Sequence, residues 1–149
     1  MITMLDGKYQ LTLHRVYNAS KDKVFQAWTK VEQLKQWWGI TGFTTTVERM
    51  DVVVGGMYRF QMASPHGTIH ILEGRYVDIV PNERLSFTWK WVNEGDNPEE
   101  TLVTIDFIDK DGKTELVMLH TDFTTIQGAN RHNNSWTNVL ERGLCNYME

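Results

Sequence analysis

The residues of this sequence that could do chemistry are few, and one strand-like stretch holds the best candidate. In TELVMLHTD at 114–122, Leu116, Met118 and His120 alternate on one face, with Asp122 next along it. On a buried face, His120 could orient or protonate a ligand. It could equally be a histidine held by hydrogen bonds to its neighbours, and a His–Asp pair on one strand is too common to be a catalytic signature. No catalytic residue is therefore assigned.

The other histidines and the cysteine do not form a recognisable reactive site. His66 and His70 are four residues apart, which is metal-ligand spacing on a helix but not in the strand pattern GTIHILEG at 67–74. With one cysteine and no matching carboxylate cluster, we predict neither a metal site nor a cofactor. Cys145 follows Leu144 on an apolar helix face, where a small buried hydrophobe is the expectation.

Known catalytic and nucleotide-binding motifs are also absent from the sequence. It contains no P-loop, no dinucleotide fingerprint, no nucleophile elbow and no zinc-protease motif. The paired glycines of VGGM at 54–57 follow a strand, but no helix follows them. They therefore predict a turn or bulge that opens the next strand.

The aromatic residues point to a cavity instead. Six tryptophans exceed what the core of a 149-residue chain usually takes, although large core packing explains any one of them. Tyr58, Phe60 and Met62 share one face of their predicted strand, and Trp89 lies on the aromatic face of another predicted strand. In the adjacent pair Trp37–Trp38, we expect Trp38, next to the helix-ending Gly39, to reach the cavity mouth. The predicted cavity residues are Trp28, Trp38, Tyr58, Phe60, Met62, Trp89, Met118, His120, Trp136 and Gly143.

An antiparallel sheet must position these residues. Apolar–polar alternation predicts seven strands at 8–18, 42–51, 56–63, 68–79, 84–92, 101–109 and 114–123. Turn-like stretches separate the last six, at 54–57, 64–67, 80–83, 94–98 and 109–112. Gly74 is a candidate for a bulge, and it leaves the inward register of the 68–79 strand open.

Helices complete the pattern. Ser20 is the predicted cap of a first short helix, and a second one is expected to run to Trp38 and stop at Gly39. After a cap among 133–135, a long helix carries an apolar face that runs from Trp136 to Met148. Gly143 lies on that face, where it indicates either a close helix-on-sheet approach or a cavity. The fold class is therefore α+β, with a curved antiparallel sheet around a long C-terminal helix.

Composition excludes several classes of protein. The net charge is −4 and no basic stripe is present, so we predict no nucleic-acid partner. No stretch approaches 18 apolar residues, and no signal peptide is visible at the start, so we predict no membrane span and a cytoplasmic location. A chain of this length buries roughly 70% of its unfolded surface, which is enough for one domain over 1–149 with an internal pocket.

Several segments in order resemble a known family. These are LTLHRVYNASKDKVFQAWTKVEQLKQWWG, VGGMYRF, EGRYVDIVPNERLSFTW and TELVMLH, which together look like the Hsp90-ATPase-activator-homologue domain of the START-like (SRPBCC) superfamily. The resemblance implies a helix-grip fold, in which a seven-stranded sheet with two short helices after strand 1 grips the last helix around a cavity. Two departures are the missing proline in TKVEQ and the replaced glycine in NNSW, which lies beside Trp136.

Three functions remain open from the sequence. The first is binding of a small, largely apolar ligand of lipid, polyketide or aromatic type, with His120 and Arg75 setting its orientation. The second is a co-chaperone-type interaction module, since the family's eukaryotic namesake acts with a chaperone. The third is a cyclase or hydrolase, which needs His120 to converge with Asp122, Glu73 or Arg75. The oligomeric state, monomer or homodimer, is not predicted.

Overall fold

The computed structural model describes residues 1–94 and 99–148 and contains one open antiparallel sheet of eight strands. The predicted α+β class and antiparallel meander are confirmed. The spatial order is β1-β2-β8-β7-β6-β5-β4-β3, so that only the β2–β8 pair joins strands that are distant in sequence. The strands are β1 (Ile2–Leu5), β2 (Lys8–Tyr17), β3 (Thr44–Met50), β4 (Met57–Ala63), β5 (Ile69–Val80), β6 (Arg84–Trp91), β7 (Glu100–Lys110) and β8 (Lys113–Phe123).

The sheet has one strand more than the seven predicted. β1 pairs with β2 through a two-residue turn, Asp6-Gly7, with Leu5 opposite Lys8. Both turn residues have positive φ, 52° at Asp6 and 78° at Gly7, as a tight hairpin with right-handed twist requires. The Asp6-Gly7 dipeptide, between Leu5 and Lys8, is a strong hairpin signal that the prediction did not use. As a result, the two short helices follow the second strand rather than the first.

The two short helices lie between β2 and β3. α1 spans Lys21–Thr29 and buries Val24 and Trp28 among its inward residues. α2 spans Val31–Leu34, which is shorter than the predicted helix to Trp38, because the chain continues beyond Leu34 as a turn. Gly39 does end this segment, with a φ of +107°.

The C-terminal helix, Ile126 to Met148, starts two turns earlier than predicted. Its first part, α3, spans Ile126–Asn138, and its cap is Thr125, whose side chain accepts a hydrogen bond from the Gly128 amide. The helix then continues as a π-helical segment at Val139–Leu144 and as α4 at Cys145–Met148. α3 packs against β1, β2 and β8. The prediction was wrong at the start of this helix because its first two turns are mostly polar.

Two glycines allow close backbone approaches. A Cβ at Gly143 would lie 2.5 Å from the Trp37 carbonyl oxygen, so the helix meets the connection after α2 rather than the sheet. A Cβ at Gly74 would overlap the Thr88 carbonyl oxygen and the Tyr58 ring. The pairing of β4 with β5 is regular at Gly74, and the shift in register lies further on, between Tyr76 and Asp78.

Four of the five predicted turns connect strands as expected. The fifth, at 94–98, lies outside the described residues except for Glu94. His70 pairs with Met62, and Leu72 and Tyr76 are buried, which settles the open register of β5: His70, Leu72, Gly74 and Tyr76 face inward.

Candidate functional site

A cavity of about 300 Å³ lies between the C-terminal helix, the sheet and the segment that follows α2. Four tryptophan side chains dominate its walls, and a few polar side chains interrupt them. Within the described part of the chain, the lining residues are Trp38, Gly39, Ile40, Phe43, Met62, His70, Trp89, Trp91, Glu94, Arg131, His132, Ser135, Trp136 and Val139. The residues come from three parts of the fold, so the cavity exists only in the folded chain.

Strand and helix periodicities explain how these side chains converge. Trp89 and Trp91 are two apart on β6 and therefore share its inward face. On the helix, Arg131, Ser135 and Val139 follow one another at intervals of four and form one row along the cavity.

His132 is the polar centre of the cavity wall. Its Nε2 accepts hydrogen bonds from the indole N–H groups of Trp89, at 3.2 Å, and Trp91, at 3.0 Å. Its Nδ1 lies 2.7 Å from the Gly128 carbonyl oxygen, and with Nε2 as acceptor it carries the proton and donates to that oxygen. Burial lowers the pKa of His132, and the nearby Arg131 charge lowers it further against the opposing effect of the Gly128 hydrogen bond. The ring is therefore neutral and fixed in one tautomer.

His120 forms a second tryptophan–histidine pair behind the cavity. The Trp136 indole N–H donates to His120 Nδ1 at 3.1 Å, so Nε2 carries the proton and donates to Thr101 Oγ1 at 2.7 Å. The side chain is fully buried, and desolvation holds its pKa well below the ordinary value. The rings of His120 and His132 lie 5.3 Å apart. Both nitrogens of His120 thus have protein partners, as in the structural alternative considered for this residue.

Comparison with known proteins places the chain in a family. The model of the family described as activator of Hsp90 ATPase homolog 1-like protein matches residues 18–149. The chain belongs to this family. Among curated proteins, no relative matches the chain significantly.

Solved structures of similar proteins share the fold of this Hsp90 ATPase activator homologue-like chain. A Chromobacterium violaceum protein is 25% identical, with a TM-score of 0.86 over 94% of this chain and 96% of that one. An AHSA1 protein from Silicibacter pomeroyi is 23% identical, with a TM-score of 0.78 over 89% and 92%. CalU16 from Micromonospora echinospora is 19% identical, with a TM-score of 0.72 over 99% and 82%.

In this member of the Hsp90 ATPase activator homologue-like family, the predicted cavity residues fall into three groups. Trp38, Met62, Trp89 and Trp136 line the cavity. Trp28, Tyr58 and Phe60 lie deeper, around a void of about 10 Å³ that Trp38 also borders. Met118 and His120 are fully buried, and Gly143 faces the Trp37 backbone, so these three line neither space. Contact of any of them with a ligand stays a prediction.

The polar residues that were expected to converge with His120 point elsewhere. Asp122 has a φ of +77° and is exposed, because the pairing of β8 with β2 slips by one residue between His120 and Phe123. Arg75 is exposed on β5, and Glu73 pairs with Arg59. The predicted constellation is therefore not assembled.

Sequence reasoning missed His132, Arg131 and Ser135. They lie in the polar stretch before Trp136, which was predicted to precede the helix. The usable signal was the cap Thr125 with Gly128, which would have extended the helix and placed all three on one side. His70 was considered as a metal ligand and as part of one of two possible inward faces of its strand, but not as a cavity residue; its Nδ1 lies 2.7 Å from Glu94 Oε1 at the cavity.

The described residues were also examined for metal and membrane features. Within residues 1–94 and 99–148, no group of three or more His, Cys, Asp or Glu side chains is placed to hold a metal ion. In the same part of the chain, no helix has the length and apolar character needed to cross a membrane.

Proposed function

We propose that this protein binds a small, largely apolar molecule of aromatic type in the cavity between the sheet and the C-terminal helix. The observation that carries the proposal is a cavity of about 300 Å³ with four tryptophans in its wall. Apolar pockets with a few fixed polar groups are the usual form of small-molecule sites. Because a cavity of about 150 Å³ holds benzene, this one suits a one- or two-ring aromatic better than a long lipid chain.

The walls favour an aromatic guest for a second reason. Trp89 and Trp136 have ring centroids 5.0 Å apart, and those of Trp38 and Trp136 are 5.6 Å apart. Hydrogen bonds to His132 and His120 hold three of these four indoles, so their ring faces are fixed before a ligand arrives. Fixed ring faces stack on an aromatic ligand at little entropic cost.

The expected affinity is modest. A two-ring aromatic comparable to a tryptophan side chain buries about 200 Å², which at about 25 cal/mol per Å² contributes about 5 kcal/mol. That free energy corresponds to a dissociation constant on the order of 0.1 to 1 mM. Titrations must therefore reach millimolar ligand.

The alternatives have less support. A co-chaperone-type module was expected to have a pocket too small for a ligand, and this cavity lies at the lower end of the ligand-binding range. A cyclase or hydrolase was expected to use His120 with Asp122, Glu73 or Arg75. Those side chains do not converge, and both His120 nitrogens are engaged. Catalysis by this set is therefore not proposed.

The test is a titration of ¹⁵N-labelled protein with 2-naphthamide, followed through the six tryptophan indole N–H resonances. Binding should shift the resonances of Trp38, Trp89, Trp91 and Trp136. The resonance of Trp37 should stay in place, since its N–H donates to the Ala27 carbonyl oxygen outside the cavity. Unchanged spectra at millimolar probe, or equal shifts of all six, would contradict the proposal.

A pair of matched variants controls this experiment. Val139→Phe places a ring in the cavity and should weaken binding at least tenfold. Val77→Phe makes the same change at a valine that is 48% exposed on β5 and should leave binding unchanged. Thermal unfolding of both variants checks that each remains folded.

A further inference from the structure

We propose that the cavity selects aromatic carboxylates, with the ring system among the tryptophans and the carboxylate held by Arg131 and Ser135. This inference rests on the proposed function and adds the chemical class of the ligand. It depends on which polar groups in the cavity wall are already used by the protein and which are free.

Most polar groups deep in the wall are already used. The N–H groups of Trp89 and Trp91 both donate to His132, whose remaining nitrogen donates to the Gly128 carbonyl oxygen. The Trp136 N–H donates to His120. A ligand polar atom placed against these groups would lose its water and gain no partner, which costs about 1–3 kcal/mol. The part of the ligand that contacts them must therefore be apolar.

Besides the indole N–H of Trp38, two lining side chains keep unused polar groups. Within the described part of the chain, neither the Arg131 guanidinium nor the Ser135 hydroxyl takes part in a hydrogen bond or ion pair. They are one helical turn apart and point to the same side as Val139, another turn further. Polarity therefore falls along one row of the helix, from a cation through a hydroxyl to an aliphatic side chain.

The charges around the cavity favour an anion at Arg131. Among the described residues of the lining, Glu94 is the acidic one, and His70 contacts its carboxylate. Arg131 is exposed, and its guanidinium lies near Gly128, one turn earlier on the helix. A planar carboxylate can accept two parallel N–H bonds from a guanidinium and a further one from a hydroxyl.

A cationic or a neutral ligand fits less well. A cation in this cavity would meet Arg131 with like charge, and the nearby carboxylate of Glu94 is engaged by His70. A neutral apolar ligand would fill the aromatic space but leave Arg131 and Ser135 unused. The carboxylate is the group that uses both donors without entering the saturated part of the wall.

The test compares 2-naphthoate with its neutral isostere 2-naphthamide by calorimetry at low ionic strength, in the full chain. We expect 2-naphthoate to bind about fivefold more tightly, because the pair at Arg131 is partly exposed to water. The preference should shrink at 0.5 M salt, where screening is strong. Arg131→Gln should remove the preference, so that the two probes bind with equal affinity, whereas Arg131→Lys should retain part of it.

Two further variants refine the result. Arg142→Gln removes an arginine of the same helix that does not line the cavity, and it should keep the full preference. Ser135→Ala should reduce the preference about twofold. Equal affinities for the two probes, or a preference that survives Arg131→Gln, would overturn the carboxylate assignment while leaving ligand binding intact. Failure of both probes to bind any variant would instead contradict the proposed function itself.

Discussion

The inner face of the sheet is covered by two groups of aromatic residues, a packed end and an open end, which differ sharply. At the packed end, Trp28, Tyr58 and Phe60 enclose a void of only about 10 Å³. At the open end, Trp89, Trp91 and Trp136 border a cavity of about 300 Å³. Trp38 borders both spaces, and its ring lies 5.9 Å from those of Trp28 and Trp89. Aromatic content is similar at the two ends, so it does not explain the difference.

The difference lies in what holds the rings in place. At the packed end, Gly74 lets Tyr58 pass close to the sheet, where its hydroxyl donates to the Thr88 carbonyl oxygen at 2.5 Å. Gly143 likewise allows the Trp37 backbone to lie against the C-terminal helix, because it has no Cβ. At the open end, histidines bind the indole N–H groups, which fixes the rings without filling the space between them. Rings that are held by hydrogen bonds keep their positions beside an empty space, whereas rings that are held by packing need neighbours that fill it.

The largest expected effect comes from removing one tryptophan at each end. Trp28 is 1% exposed and packs against Trp37 at 4.7 Å between ring centroids. Trp28→Ala should lower the free energy of unfolding by about 3–5 kcal/mol, since it creates a cavity in a packed region. Trp91→Ala, at the partly exposed wall, should cost about 1 kcal/mol. Urea denaturation of both variants measures the two changes, and equal costs would contradict the distinction between the ends.

A second prediction concerns pH and tests the histidine-bound wall. The unfolded chain takes up protons on its histidines as the pH falls through about 6.5, whereas burial keeps His120 and His132 neutral in the folded chain. The unfolded state then binds more protons, so the free energy of unfolding should fall as the pH is lowered from 7 towards 5. The limit is about 1.4 kcal/mol per pH unit for each histidine. The stabilisation is fully present above the unfolded-state pKa and is lost towards the depressed folded-state value.

Two variants test whether the buried histidines His120 and His132 cause this pH dependence of the free energy of unfolding. His132→Gln removes one of the two histidines that bind a proton only in the unfolded chain. Its amide oxygen can still accept hydrogen bonds from the indole N–H groups. The slope of the free energy of unfolding against pH should therefore fall. His66→Gln changes an exposed histidine and should leave the slope unchanged. Urea denaturation at half-unit intervals between pH 5 and 7 gives the slopes. A wild-type slope of zero would mean that the histidines are protonated in the folded protein.

The packed end could be predicted from the sequence more fully than the open end. Alternation along the strands placed Tyr58 and Phe60 on one inward face, because buried strands repeat their apolar residues every second position. The same rule found Leu116 and Met118. It could not find the slip after His120, where a positive φ at Asp122 turns that side chain outward. A bulge of this kind leaves no apolar pattern to detect.

The polar residues of the open end escaped prediction for a related reason. A helix that faces a packed core repeats apolar residues, and that period revealed the helix from Trp136 onward. Its first three turns carry the cavity-lining residues Arg131, His132 and Ser135, and they have no apolar period before Trp136. The tertiary hydrogen bonds from Trp89 and Trp91 to His132 join residues more than 40 positions apart, and no local pattern encodes them. A rule that searches for buried apolar residues therefore overlooks the polar residues of this site.

The smallest expected effect comes from adding one methylene group to a helix at each end. Val24, in α1, is fully buried, and Val24→Ile should cost about 1 kcal/mol because no free space lies beside it. Val139 lines the cavity, so Val139→Ile should change the free energy of unfolding by less than about 0.5 kcal/mol. Both substitutions exchange one β-branched residue for another, so helix propensity contributes little to the difference. Urea midpoints at a fixed m-value report the comparison, and a cost at Val139 equal to that at Val24 would show that the open end has no usable space in solution.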